Sequence, residues 1–197
     1  MLAINHMIYT YILLCFLWIA YCFVHSFLAD GSIKTAIQHK TGTSSRFYRL
    51  AYNLFAMAGL IAIISFQLNV KCSPIFLQSA LTIFFAAILI LAGLFIMLIC
   101  IIKYFKQLSG LKNIKPVLVT TGFHRFVRHP LYLGTFIFLG GAFFAFPLLT
   151  NLLSFVIIVL YTLWGIGLEE KKLVKVFGED YIRYQNTVPK IIPRIHS

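Results

Sequence analysis

The sequence has almost no acid. Five Asp and Glu stand against 17 Lys and Arg in 197 residues, and charged residues of both signs make up only 11% of the chain. A soluble domain typically carries about a quarter charged residues, so this composition does not cover a water-facing surface. Soluble globular, disordered and fibrous classes are excluded, and an integral membrane protein remains. Cysteine is also scarce. Cys15, Cys22, Cys72 and Cys100 form no CxxC and no metal-like spacing, and three of them lie inside apolar stretches. Neither a disulfide framework nor a zinc or other metal site is expected. No internal repeat or low-complexity segment appears.

What is present is apolar: 60% of residues, with a mean hydropathy of +0.90. Residues 1–29 contain no Asp, Glu, Lys or Arg, and 7–24 is predominantly apolar and aromatic. Without the basic residues of a secretory signal, this reads as a retained span. A second apolar run covers 50–68. A third, 74–102, holds 29 uncharged residues, more than the ~20 needed to cross a bilayer. Residues 130–168 are 39 uncharged residues in a row, read as two helices of about 17–18 residues with Pro147, Thr150 and Asn151 as the breaker. The expected fold is an all-α membrane protein with five transmembrane helices. Residues 1–102 would hold three spans and 103–197 the remaining two.

The basic residues orient this division. Lys34, Lys40, Arg46 and Arg49 lie in 30–49, and Lys71 alone lies in 69–73. Six more lie in 103–129 and six in 169–197, with none at the turn near 148–151. By the positive-inside rule this alternation places the N-terminus outside and the C-terminus in the cytoplasm. The net charge of +12 therefore faces anionic headgroups, not nucleic acid.

Two clusters carry chemistry. Four of the five acids lie at the exit of the last span, and Glu169 and Glu170 sit at the boundary itself. The plain reading is a solvated pair neutralised by Lys171, Lys172 and Lys175 at helical spacing. The second cluster is Arg128-His129-Pro130-Leu131-Tyr132 at the entrance of span four. Interfacial anchoring explains it, with Pro at the first helical position. The same geometry also makes a ligand site, since a helix N-terminus attracts a carboxylate and His129 and Tyr132 share one face. With the Glu pair on the same side of the membrane, the two clusters complement a zwitterion.

These residues resemble a family. The stretch from Leu118 to Gly134, centred on Arg128-His129-Pro130-Leu131-Tyr132, is similar to the isoprenylcysteine carboxyl methyltransferase and phospholipid methyltransferase superfamily. So is the tail: Glu169-Glu170, Leu173, Phe177-Gly178, Tyr181, Tyr184, Val188-Pro189 and Ile192-Pro193. The resemblance covers residues 103–197 and implies methyl transfer from S-adenosylmethionine to a thiol, carboxylate or amine acceptor, small or lipophilic. It implies a cytosol-facing cofactor pocket built by the 103–129 loop, the hairpin of the last two spans and the C-terminal tail. Carried over by position, Leu118, Val119, His124, His129, Pro130, Leu131, Tyr132, Glu169 and Glu170 would contact the cofactor.

One position departs from the pattern. Isoprenylcysteine enzymes have an arginine four residues before the first glutamate, and Gly165 stands there. Gly165 and Gly167 either allow close helix packing or enlarge a pocket. In the first half, His25-Ser26, Lys34 and Arg46-Phe47-Tyr48-Arg49, with Ser109-Gly110-Leu111 later, are similar to membrane thiol methyltransferases of the superfamily. If a thiol or amine must lose a proton, His124 and His25 are the candidate bases. Membrane lipid and a small-molecule or lipophilic acceptor are the expected partners, and a bacterial inner membrane the expected location. The alternatives are an NADPH-dependent membrane reductase, since steroid and sterol reductases have a similar RHPxY-like hairpin, and a non-catalytic scaffold.

Overall fold

Hydrocarbon offers no partner for backbone amides, so long uncharged runs satisfy their polar groups internally as helices. The computed structural model describes residues 2–108 and 117–193. Among the described residues the elements are α1 (Leu2–Ala29), α2 (Gly31–Thr41), α3 (Ser45–Asn69), α4 (Ala80–Leu108), a 3-10 turn (Gly122–Arg125), α5 (Pro130–Ala145), α6 (Leu149–Phe177) and α7 (Glu179–Thr187). Four helices among the described residues are long and apolar enough to cross a bilayer: Met7–Ala29, Ser45–Asn69, Ala80–Lys103 and Leu149–Phe177. The chain is an integral membrane protein. The fourth expected span, α5, is the shorter apolar helix, at 16 residues.

Several boundaries differ from the sequence reading. The run 74–102 does not become helical until Ala80. Ser79 and Thr82 cap that start reciprocally, the Ser79 amide donating to Thr82 Oγ1 at 2.8 Å and the Thr82 amide to Ser79 Oγ at 3.2 Å. The segment 30–49, read as a charged loop, contains α2. Asp30 caps it by accepting from the Ser32 and Ile33 amides, and Gly42 ends it at φ +68°. The break before α6 is Phe146-Pro147-Leu148, so Thr150 and Asn151 lie in its first turn. Nor does α6 stop at the last uncharged residue: it continues through Glu169 and Glu170 to Phe177. Ser109-Gly110-Leu111, Lys112, Lys115 and Arg194 lie outside the described residues.

The chain forms two compact units, Met1–Ser73 with Leu148–Ile158, and Pro74–Pro147 with Val159–Ser197. In the first, Leu14, Trp18 and Ile63 are buried together, packed by Leu60, Phe66, Ile157 and others. Gln67 donates to Asn151 Oδ1 at 2.6 Å and accepts from Ser154 Oγ at 2.7 Å. In an apolar setting such amide and hydroxyl pairs hold helices together.

The second unit is built on α4 and α5. They run antiparallel with backbones in near contact: Gly134 lies against Gly93 and Met97, and Gly141 against Ala86 and Ile90. A Cβ on Gly93 would sit 2.5 Å from the Phe138 amide nitrogen. Phe76, Phe85, Phe143 and Phe144 pack edge-on or tilted beside this seam. The seam positions the start of α5, where the Arg128–Tyr132 cluster lies.

Candidate active site

Pro130 starts α5 at its first position, as expected, and is buried. The two preceding amides are not open for a ligand. The Arg128 amide donates to the Pro189 carbonyl at 2.9 Å and the His129 amide to the Lys190 carbonyl at 3.1 Å. The C-terminal tail thus occupies the two amides just before the helix.

The Glu pair meets this helix start. Because α6 continues past them, Glu169 and Glu170 lie well inside a helix and not at its end. Their partners in the structure come from α5 and the tail, not from the lysines that follow in sequence. Arg128 Nε donates to Glu170 Oε1 at 2.8 Å, His129 Nε2 lies 3.2 Å from the same oxygen, and Lys190 Nζ lies 3.6 Å from Oε2. The Tyr132 hydroxyl donates to Glu169 Oε2 at 3.1 Å, and His129 Nδ1 lies 3.9 Å from that atom. The two carboxylates are unlike: the Glu169 side chain is 44% exposed and the Glu170 side chain 9%. His129 and Tyr132 stack with ring centroids 5.7 Å apart, confirming that they share a face.

Burial lowers the His129 pKa below its ordinary value, against the raising influence of Glu169 and Glu170. A neutral imidazole with its proton on Nε2 donates to Glu170 and leaves Nδ1 toward Glu169. Burial, reinforced by His129 and Lys103, lowers His124 from 6.5 to about 4. A histidine kept neutral by folding binds fewer protons than in the unfolded chain, so stability is full above pH 6.5 and falls as pH drops toward 4. Discounted for partial solvent screening, His124 contributes on the order of 1–2 kcal/mol to that loss, with His129 acting in the same sense. Melting of the detergent-solubilised protein between pH 7.5 and 5 is expected to show a falling midpoint. A midpoint that rises on acidification would contradict the neutral assignment.

Of the other expected residues, Leu118, Val119 and Leu131 are half-buried in this unit. His124 lies in the 3-10 turn, its carbonyl accepting from the Tyr184 hydroxyl at 2.6 Å. His25 belongs to the first unit, where its Nε2 lies 2.8 Å from the Tyr52 hydroxyl. The sequence reading missed Arg128 and Lys190 as partners of Glu170. Opposite charges in two already suspect motifs were the available signal. The sequence reading named Tyr181 only within the tail motif; that side chain is buried to 1% exposure, and its hydroxyl has no hydrogen-bond partner among the described residues. A Cβ on Gly165 or Gly167 would meet nothing within 4 Å. Close helix packing therefore does not account for either glycine among the described residues.

Residues 81–180, just over half of the chain, match the phospholipid methyltransferase family. Among characterised relatives, methanethiol S-methyltransferase 1 of Bradyrhizobium diazoefficiens is 37% identical over 89 residues, 44% of this chain and 30% of that one. Methanethiol S-methyltransferase of Crocosphaera subtropica is 41% identical over 78 residues, 39% of this chain and 29% of that one. Protein-S-isoprenylcysteine O-methyltransferase of Saccharomyces cerevisiae is 43% identical over 84 residues, 40% of this chain and 34% of that one. The matched stretch thus spans about a third of each relative. No solved structure matches. A helix start bearing Arg128-His129-Pro130-Leu131-Tyr132, met by a Glu pair, falls within the family match, and the chain belongs to the phospholipid methyltransferase family.

Proposed function

We propose that the protein is an S-adenosylmethionine-dependent membrane methyltransferase acting on a small or lipophilic acceptor at the membrane–cytosol interface. The observation that carries this reading is the unlike pair of carboxylates. Glu170 is compensated by Arg128 and Lys190, whereas Glu169 is exposed and its Oε1 has no partner among the described residues. An exposed carboxylate beside a stacked His–Tyr pair fits a ligand carrying a positive sulfonium and ammonium. It disfavours a polyphosphate, which argues against the NADPH-dependent reductase.

In this reading Glu169, Tyr132 and His129 hold the cofactor. Leu118, Val119, Pro130 and Leu131 border it, with Glu170 acting through His129. The bound cofactor supplies an electrophilic methyl group. The protein aligns the acceptor with it and keeps water out. No covalent nucleophile is needed. An acceptor thiol must lose its proton, and His124, in the same unit as the Glu pair, is the proposed acceptor of it. It starts neutral in this account. At a pKa of about 4, His124 holds a proton only transiently, so it passes it on.

The acceptor is proposed to be uncharged where it meets α6. The space beside Gly165 is open, and residues 130–168 contain no charged side chain to pair a carboxylate. We further propose five spans with the N-terminus outside and the site on the cytoplasmic side of a bacterial inner membrane. α5 would cover ~24 Å of a ~30 Å hydrocarbon core.

The test is methyl transfer from labelled S-adenosylmethionine by the purified protein in lipid nanodiscs, with methanethiol and a farnesylated cysteine supplied separately. Volatile labelled product from the thiol, at a rate at least tenfold above that for the prenylcysteine, is expected. Preference for the prenylcysteine would contradict the uncharged-acceptor assignment, and transfer to neither would contradict both.

A further inference from the structure

Arg128 is nearly buried, and every contact of its side chain is spent on the protein itself. Its Nε donates to Glu170 Oε1, and its Nη1 donates to two carbonyls, that of Gln185 at 2.9 Å and that of Val188. Those carbonyls lie in the last turn of α7 and at its C-cap. The end of a helix has unsatisfied carbonyls and a partial negative charge. A guanidinium there satisfies two of them while its fork also reaches a carboxylate, which an ammonium does not reproduce. The backbone continues the same join, through the Arg128 and His129 amides on the Pro189 and Lys190 carbonyls. A third tie lies one turn earlier, where the Tyr184 hydroxyl meets the His124 carbonyl.

One of these contacts, from Arg128 Nε, reaches a side chain of the site. Glu170 Oε1 is shared between Arg128 and His129, so the guanidinium fixes the oxygen that orients the imidazole. We propose that Arg128 is a positioning residue. It latches the C-terminal tail, residues 185–190, to the start of α5, and through Glu170 holds His129 with Nδ1 toward Glu169. It makes no contact with the ligand and acts only through these partners. The proposal rests on the S-adenosylmethionine reading for its effect on affinity, but not for the latch.

Two readouts on the full-length protein in detergent separate the possibilities. The first is hydrogen exchange at the Arg128 and His129 amides, and the second is S-adenosylmethionine affinity by calorimetry, below the melting transition of each variant. Arg128→Lys is expected to speed exchange at both amides at least tenfold and to weaken affinity about tenfold. Glu170→Ala should behave alike. Glu170→Gln keeps an acceptor oxygen for both donors and should recover affinity to within about threefold of wild type. Arg183→Ala, which removes only the exposed pair with Asp180, should stay within twofold.

Unchanged exchange in Arg128→Lys would overturn the latch. Faster exchange with unchanged affinity would reduce Arg128 to a purely structural part and overturn its positioning role. If the wild-type protein binds no S-adenosylmethionine, the cofactor reading fails and the positioning role with it, while the exchange comparison still decides the latch.

Discussion

Leucine in place of Gly93 is expected to separate α5 from α4 and to cost the folded chain about 3 kcal/mol, the upper end of what overpacking usually costs. The reason is which atoms crowd the new side chain. A Cβ at Gly93 would lie 2.5 Å from the Phe138 nitrogen, 2.7 Å from the Gly134 carbonyl oxygen and 2.8 Å from the Phe138 Cα. All three are backbone, so no rotamer change relieves the clash, and α5 itself must move. Because His129 and Tyr132 ride on the first turn of α5, cofactor binding should be lost with the packing. Gly165→Leu is the matched control, since its Cβ meets nothing within 4 Å. It should leave the melting midpoint within about 2 °C of wild type while slowing transfer to the acceptor, whose proposed space it fills. A comparable loss of stability in both variants would mean that the α4–α5 seam is not the framework of the site.

Glu169→Gln is expected to weaken S-adenosylmethionine binding roughly 10- to 100-fold while leaving stability nearly unchanged. A hydrogen bond or ion pair to a charged group is worth ~1.5–3 kcal/mol, and the amide keeps an oxygen for the Tyr132 hydroxyl while losing the charge. Glu169 stabilises little of the fold, because its side chain is half-exposed and meets only Tyr132 and the His129 ring among the described residues. His129→Ala should reduce affinity as well, since it removes the ring that stacks on Tyr132. Affinity equal to wild type in both variants would remove these residues from the cofactor site.

The chemistry-bearing parts were legible in the sequence because they rest on residue type and local spacing. His129 and Tyr132 at three residues' separation do stack, and Pro130 does open a helix. The Glu pair does meet that cluster. Long uncharged runs likewise announced α1, α3 and α4. What escaped depends on through-space contacts or on weak local signals. α2 has no apolar periodicity, and only its caps, Asp30 and Gly42, marked it. The start of α4 at Ala80 was written in the Ser79–Thr82 pair, but apolarity alone places it six residues too early. The continuity of α6 through the Glu pair was hidden by equating the end of the uncharged run with the end of the helix. Lysines in sequence looked like the partners of Glu170. The actual partner, Arg128, is selected by tail carbonyls at Gln185 and Val188, and backbone acceptors carry no sequence signature.

The account stands on the ligand that Glu169 faces. The most direct measurement is calorimetric titration of the purified wild-type protein with S-adenosylmethionine, with NADPH titrated in parallel under the same conditions. Saturable binding of S-adenosylmethionine, lost or strongly weakened in Glu169→Gln, with no binding of NADPH, is the predicted result. Binding of NADPH, or of neither ligand by protein whose melting transition shows it to be folded, would contradict it.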